Sequence, residues 1–261
     1  MLFRSRIAIV AHGKPDTLGD AVKRVEEVAR GAGVEVVPEG QADLLVVLGG
    51  DGTMLRALKQ SLDSGAPVFG INFGRVGFLT AVGADDFESG LTRALAGDFV
   101  VVELPTLEAD VRGKTHTAVN DCVATSSTLG RMVTVGWSVG GEDLGTLSCD
   151  GVIAATPSGS TAYNLSNGGP VLVWGLDAMA LTFVAPHSLH ARPLVVPRGR
   201  ALTVTNRTKD VAAAVLVDGH AVHELAPGDQ VEARLSEQRS LLATLPEETF
   251  FTRYRRTFVA E

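Results

Sequence analysis

Asp51 stands inside Gly49-Gly50-Asp51-Gly52-Thr53, the sharpest local signal in the chain. Three glycines free the backbone for left-handed angles and let a ligand approach with no Cβ in the way. A helix starting there offers unpaired N–H groups and the positive end of its dipole, both suited to phosphate. A carboxylate in a phosphate-binding turn repels the ligand, so its presence asks for a reason. Two reasons fit: it associates with a metal ion, or it accepts a proton from an attacking hydroxyl. The plain alternative is a helix cap in a glycine turn, and the five residues in this setting weigh against it.

Three further segments carry polar groups at positions that need explaining. Asn72-Phe73-Gly74-Arg75-Val76-Gly77-Phe78-Leu79 is a second glycine-bearing run, weak evidence by itself. Asn120-Asp121 interrupts an apolar run. Adjacent side chains on a strand point to opposite faces, and an inward polar group needs a partner, although a bulge or strand end reads equally well. The block at 150–170 is the longest signal. It runs through Pro157-Ser158-Gly159-Ser160-Thr161 into a short helical stretch with Tyr163 and Ser166 on one side. Small hydroxyl residues and free N–H groups suit sugar hydroxyls and phosphates, and a tyrosine packs on a ring.

Two kinds of element position these groups. Residues 6–11 form a short apolar run. Asp16 then caps a helix with apolar Leu18, Val22, Val25 and Val28 at helical spacing, closed by Gly31. Runs at 34–37 and 44–48 follow, the second apolar throughout, as in a strand buried on both faces. A turn at 49–53, a helix at 54–62 and a strand at 68–72 complete the series. This predicts an open, mostly parallel, Rossmann-like α/β domain over 1–99 with right-handed crossovers. From about Val100 the period shortens. Strand-length runs at 101–104, 107–111, 119–124, 133–139, 152–156, 180–184, 202–205, 213–217 and 231–235 predict a larger, mainly β domain over 100–245. Residues 246–261 form a tail, aromatic and basic at 250–258, that can fold back onto the first domain.

Composition narrows the function. With 261 residues, 45% apolar and 20% charged, the chain is long enough for two modest domains. A net charge of -7 argues against a nucleic-acid binder, yet backbone N–H groups still bind an anionic ligand locally. Cys122 and Cys149 make neither a disulfide framework nor a zinc site, and no metal cage is visible. No secretory signal and no membrane-length apolar run are evident, so a cytoplasmic protein without membrane contact is expected.

Over nearly its whole length the chain resembles the NAD kinase family. The resemblance rests on Gly49-Gly50-Asp51-Gly52-Thr53, on Gly70-Ile71-Asn72-Phe73-Gly74 with Gly77-Phe78-Leu79-Thr80, on Asn120-Asp121, on 150–170 and on Pro186-His187-Ser188-Leu189-His190-Ala191-Arg192-Pro193-Leu194. Order and spacing together make it specific, and 150–170 is the most diagnostic piece. It implies transfer of the γ-phosphate of ATP, or phosphate from polyphosphate, to the 2′-hydroxyl of the adenosine ribose of NAD, giving NADP. By the same resemblance Asp51 is the proton acceptor, and Gly49, Gly50, Gly52 and Thr53 lie beside the donor phosphates. NAD would contact Asp51, Gly52, Arg56, Asn120, Asp121, Arg131, Asp150, Thr161, Ala162, Tyr163, Ser166 and Ala185. A magnesium or manganese ion accompanying ATP and a homodimer or homotetramer are also implied.

Two other readings compete. A diacylglycerol-type lipid kinase shares the Gly-Gly-Asp-Gly-Thr turn, but 150–170 does not belong to it. A catalytically silent NAD-binding sensor gains nothing from a carboxylate beside phosphates.

Overall fold

The computed structural model describes residues 6–12, 15–72 and 77–259, and only the backbone of residues 15–18. Phe73, Gly74, Arg75 and Val76 of the second glycine run lie outside the described residues. In chain order the elements are β1 (Arg6–Ala11), α1 (Pro15–Gly31), β2 (Glu35–Val36), β3 (Leu44–Leu48), α2 (Asp51–Gln60), β4 (Val68–Asn72), β5 (Val82–Gly83) and α3 (Phe87–Leu95). There follow β6 (Val100–Val111), β7 (Lys114–Ala118), β8 (Asp121–Ser126), β9 (Val133–Val139), β10 (Glu142–Cys149), β11 (Gly151–Ala155) and α4 (Tyr163–Ser166). The last are β12 (Ala178–Val184), β13 (Leu194–Pro197), β14 (Leu202–Asn206), β15 (Ala213–Val217), β16 (His220–Leu225), β17 (Gln230–Thr244) and α5 (Phe250–Phe258). Two compact units result, one of residues 1–103 with 240–261, the other of 104–239.

Unit 1 is the expected α/β half. Strands β2, β1, β3 and β4 lie side by side, every described pair parallel, and β5 and the end of β17 also pair with β4 in parallel. All five residues of β3 and of β4 are buried, which is why both read as continuous apolar runs. Helix α1 begins at Pro15, one residue before the expected cap, because a proline ring presets φ for the first helical position. The helix predicted at 54–62 begins earlier, at Asp51, so the aspartate is helical rather than part of the preceding turn. The core joins Val25 and Ala29 of α1, Val46 and Leu48, Phe69 and Ile71, Phe87 and Leu91 of α3, and Ala243 and Leu245 from the chain's end. The tail does fold onto this unit: the Phe250 and Phe258 rings sit 5.4 and 6.0 Å from that of Phe78.

Unit 2 is mainly β. One sheet runs β13-β12-β11-β8-β15-β16, all antiparallel; the other includes β10-β9-β14 and the first part of β17. Val133, Val135, Leu202, Val204, Val231 and Ala233 of the second sheet share a core with Cys122, Ala124, Val152, Ala154, Met179 and Val215 of the first. The alternate residues Val123, Ile153 and Ala155 enter another cluster on the opposite face, closed by Leu172. The six-stranded sheet is therefore covered on both faces, and period-2 geometry sends successive residues into different cores.

Gly90 shows how the α3–β5 contact constrains sequence. Mid-helix glycine is ordinarily worse than alanine by about 1 kcal/mol. Here a Cβ would lie 2.8 Å from both Val82 methyl carbons, and a β-branched side chain has little freedom to yield. Gly90→Ala is therefore expected to destabilise the chain by about 1–3 kcal/mol, with recovery in the Gly90→Ala/Val82→Ala pair. Urea denaturation of both variants checks this, and a more stable single variant contradicts it.

Candidate active site

The turn after β3 is shaped by close approaches. A Cβ on Gly49 would sit 2.5 Å from Thr53 Oγ1, and its amide donates to the Ile71 carbonyl of β4 at 3.0 Å. Gly50, extended, precedes the helix without a side-chain cap, and Asp51 occupies the first helical position. Amides of that first turn have no helical acceptor, so Asp51 and Gly52 present N–H groups at the positive end of α2.

The Asp51 carboxylate does not point loosely outward. Phe78 N–H donates to Oδ2 at 2.7 Å and Leu79 N–H to Oδ1 at 3.0 Å. The Gly77 amide donates to Thr80 Oγ1 at 3.2 Å, which closes the turn that supplies both donors. A Cβ on Gly77 would fall 2.0 Å from Asp51 Oδ1, so only glycine lets the carboxylate reach this seat. The two glycine-rich segments of unit 1 thus form one construction. Arg56 is exposed on α2, 3.4 Å from His12 Nδ1.

In unit 2, Asn120 and Asp121 are not in mid-strand. Val119 and Asn120 make a bend between β7 and β8, and Asp121 is the first residue of β8. Three partners hold that bend. Asp218 accepts from Val119 N–H at 3.1 Å, Asn120 N–H at 2.8 Å and Asp121 N–H at 3.4 Å. Thr156 donates its hydroxyl to Val119 O at 2.7 Å and its amide to Asn120 O at 2.8 Å. Ser158 Oγ donates to Asn120 Oδ1 at 3.3 Å, and a Cβ on Gly159 would lie 2.1 Å from the Asn120 carbonyl. Asp121 is 6% exposed, and burial, followed by the nearby Asp218 charge, pushes its carboxyl up to about 7.

The 150–170 block splits into inward and outward members. Asn164 is fully buried, donating to Ser160 O and Pro170 O and accepting from Thr182 Oγ1 at 2.7 Å. That anchoring leaves Tyr163 and Ser166 exposed on α4, with Thr161 and Ala162 half-buried beside them. Asn120 and Asp121 lie beside Thr156, Ser158 and Gly159 of this block at one end of the six-stranded sheet. Asp150 and Ala185 lie at the other end: Asp121 pairs with Ala155, whereas Thr125 pairs with Gly151, and Gly151 with Val184. Four steps along a strand amount to about 13 Å. Arg131, in the loop after β8, is exposed and ion-paired with Asp210 at 2.9 Å. Ala185 takes φ 42 and Asp218 φ 50, angles uncommon outside glycine that cost about 1–3 kcal/mol each and cluster at functional positions.

Sequence reasoning missed Asp218, whose carboxylate holds the bend. The signal was present: Asp218-Gly219 between two alternating runs is a strong hairpin turn. A cavity of about 400 Å³ beside Arg93, Glu247 and Arg256 contains none of the predicted residues.

Comparison with known proteins gives matches over both units. Residues 8–99 match the family described as ATP-NAD kinase N-terminal domain, and residues 119–245 the ATP-NAD kinase C-terminal domain. An NAD kinase from Heliobacterium modesticaldum is 40% identical over 240 residues, 90% of this chain and 85% of that one. The crystal structure of an NAD kinase from Archaeoglobus fulgidus in complex with ATP superposes with a TM-score of 0.81 at 31% identity, covering 96% of this chain and 98% of that one. Yeast NADH kinase shares the fold, with a TM-score of 0.80 at 21% identity, covering 98% of this chain and 87% of that one.

Asp121 gives a pH dependence of known sign. Unfolded, an aspartate loses its proton near pH 4; folded, Asp121 keeps it to about 7. The folded state therefore binds the extra proton between these values. Its contribution, about 4 kcal/mol, is present below pH 4 and is lost as pH rises toward 7. Denaturant titrations at pH 5 and 8 are expected to show this slope in the parent and not in Asp121→Asn. Identical slopes in both would refute it.

Proposed function

The chain belongs to the NAD kinase family, and we propose on that basis how its residues divide the transfer of the γ-phosphoryl group of ATP to NAD. Asp51 accepts the proton of the adenosine ribose 2′-hydroxyl. One observation carries this role: the carboxylate is oriented by two backbone amides at the first position of a helix following a buried parallel strand. Each oxygen uses one acceptor position on an amide and keeps another for a substrate hydroxyl. As the ribose oxygen bonds to phosphorus, the bond to ADP breaks and the hydroxyl proton passes to Asp51. Gly49, Gly50, Gly52 and Thr53 supply the backbone that faces the donor phosphates, and the dipole of α2 offsets part of the carboxylate's repulsion, about 0.3–1 kcal/mol.

Among the described residues no group of three or more His, Cys, Asp or Glu can hold a metal ion. A single carboxylate beside an amide-lined turn suits a magnesium or manganese ion that keeps its waters and the nucleotide phosphates as its other ligands. When bound, such an ion neutralises charge on the donor. By the family resemblance NAD contacts are assigned to Asn120 and Asp121 at the held bend, and to Thr161, Ala162, Tyr163 and Ser166 on the exposed side of the block. Arg56 and Arg131 add positive charge for its phosphates.

Asp150 and Ala185 stand at the far end of the sheet from Asn120, which favours a homodimer or homotetramer in which that end serves the NAD of a second copy. Sedimentation at micromolar concentration is expected to show a dimer or tetramer, and a stable, active monomer would overturn this part. The cytoplasm is the compartment this reading assigns.

With ATP, magnesium and NAD the chain is expected to make NADP, and chelation by EDTA to stop it. Asp51→Asn is expected to fold and bind NAD while turnover falls by about 10²–10⁴-fold. Turnover near that of the parent would remove the role assigned to Asp51.

A further inference from the structure

Arg253 is the largest fully buried side chain in the described structure, and its position on α5 is far in sequence from the glycine turn. Its guanidinium donates to main-chain carbonyls: Nη1 to Phe78 O at 2.9 Å and to Thr80 O, and Nε to Glu248 O at 3.2 Å. Nη2 donates to Thr244 Oγ1 at 2.5 Å. Burial lowers its pKa to about 10, so the group stays charged at neutral pH. Taking a cation out of water is costly, and these bonds aim it at the turn around Phe78.

What the guanidinium holds is the turn that holds Asp51. Phe78 C=O and Leu79 N–H belong to one peptide unit, and that unit is planar. Its oxygen accepts from Arg253 while its N–H donates to Asp51 Oδ1 at 3.0 Å. The same turn offers Phe78 N–H to Oδ2 and Thr80 O to Arg253. Rotating the 78–79 peptide would break a bond on each side at once. A cation on the carbonyl also polarises the amide and strengthens it as a donor.

We propose that Arg253 is a positioning residue for phosphoryl transfer: through the Phe78-Leu79 peptide it sets the orientation of the Asp51 carboxylate. The chain's last helix is thereby part of the reaction machinery. This rests on the reading of Asp51 as proton acceptor, but the positioning itself has a readout that does not.

Arg253→Lys keeps the charge and loses the planar fork, which alone reaches several acceptors together. The variant is expected to lose turnover by about 10-fold or more, with KM for NAD and ATP within about twofold, since a misplacement near 1 Å costs up to about 10²-fold. Amide exchange at Phe78 and Leu79 should quicken by at least about tenfold, against little change along β3. In the Asp51→Asn background Arg253→Lys should slow turnover no further, because the two act as one unit. Guanidinium added to Arg253→Ala should restore part of the lost turnover. A lower melting temperature with unchanged turnover and unchanged exchange at Phe78 and Leu79 would overturn the proposal and leave Arg253 a fastening for the tail. Should Arg253→Lys fail to fold, Thr244→Val removes one of its acceptors: a loss of about threefold supports the proposal and unchanged turnover overturns it. Fast turnover in Asp51→Asn together with quickened exchange in Arg253→Lys would overturn the proton-acceptor reading while the positioning stands.

Discussion

Two backbone amides on one carboxylate organise unit 1. For Asp51 to sit on Phe78 N–H and Leu79 N–H, β3 and β4 must end beside each other in parallel register, which the Leu48–Ile71 pairing achieves. Helix α2 must begin directly at the aspartate, and the facing turn must carry glycine at 77, where any side chain would strike the carboxylate. None of these demands is local. Each follows from holding a carboxylate at the first position of a helix, where only a fixed, directional set of donors orients both of its oxygens.

Unit 2 meets a related problem by a different route. The Asn120 bend has its N–H groups satisfied by Asp218 and its carbonyls by Thr156, so a stretch between strands is as firmly bonded as a strand. Asp218 accepts three main-chain donors from a left-handed backbone position. The adjacent Asp121 carboxyl, buried and close to that charge, then holds its proton far above the usual range. Local strain and a buried acid are both unfavourable; the antiparallel ladders of β8, β11 and β15 on either side offset them. The result is a bend whose main chain is fixed from both sides, with the Asn120 carboxamide oxygen accepting from Ser158.

Strands with an apolar signature were legible before any coordinates: 44–48 and 68–72 correspond to β3 and β4 residue for residue. Strands β7, β10, β13 and β16 were not. Lys114–Ala118 and Glu142–Cys149 are largely polar and exposed, and an edge or solvent-facing strand has no core to impose alternation on its side chains. The predicted 231–235 proved to be the start of a fifteen-residue strand, because Ser236, Glu237, Gln238 and Arg239 break the apolar pattern while the backbone pairing continues. The separate runs predicted at 101–104 and 107–111 likewise join into β6 across Pro105.

By itself the sequence determined the fold class, the glycine turn with its aspartate, and the block at 150–170, because these are written in contiguous residues whose types answer to local backbone geometry. Tertiary structure alone decided that Gly77 makes room for Asp51, that Asp218 ties down Asn120, and that Asp150 and Ala185 lie at the opposite end of the sheet from the bend. It also decided that an arginine of the final helix shares a peptide with the Asp51 carboxylate. Such facts depend on which carbonyl or amide arrives from 27 to 175 residues away. Hydrogen bonds of that kind are formed by backbone groups that every residue carries alike, and side-chain identity does not record where they go.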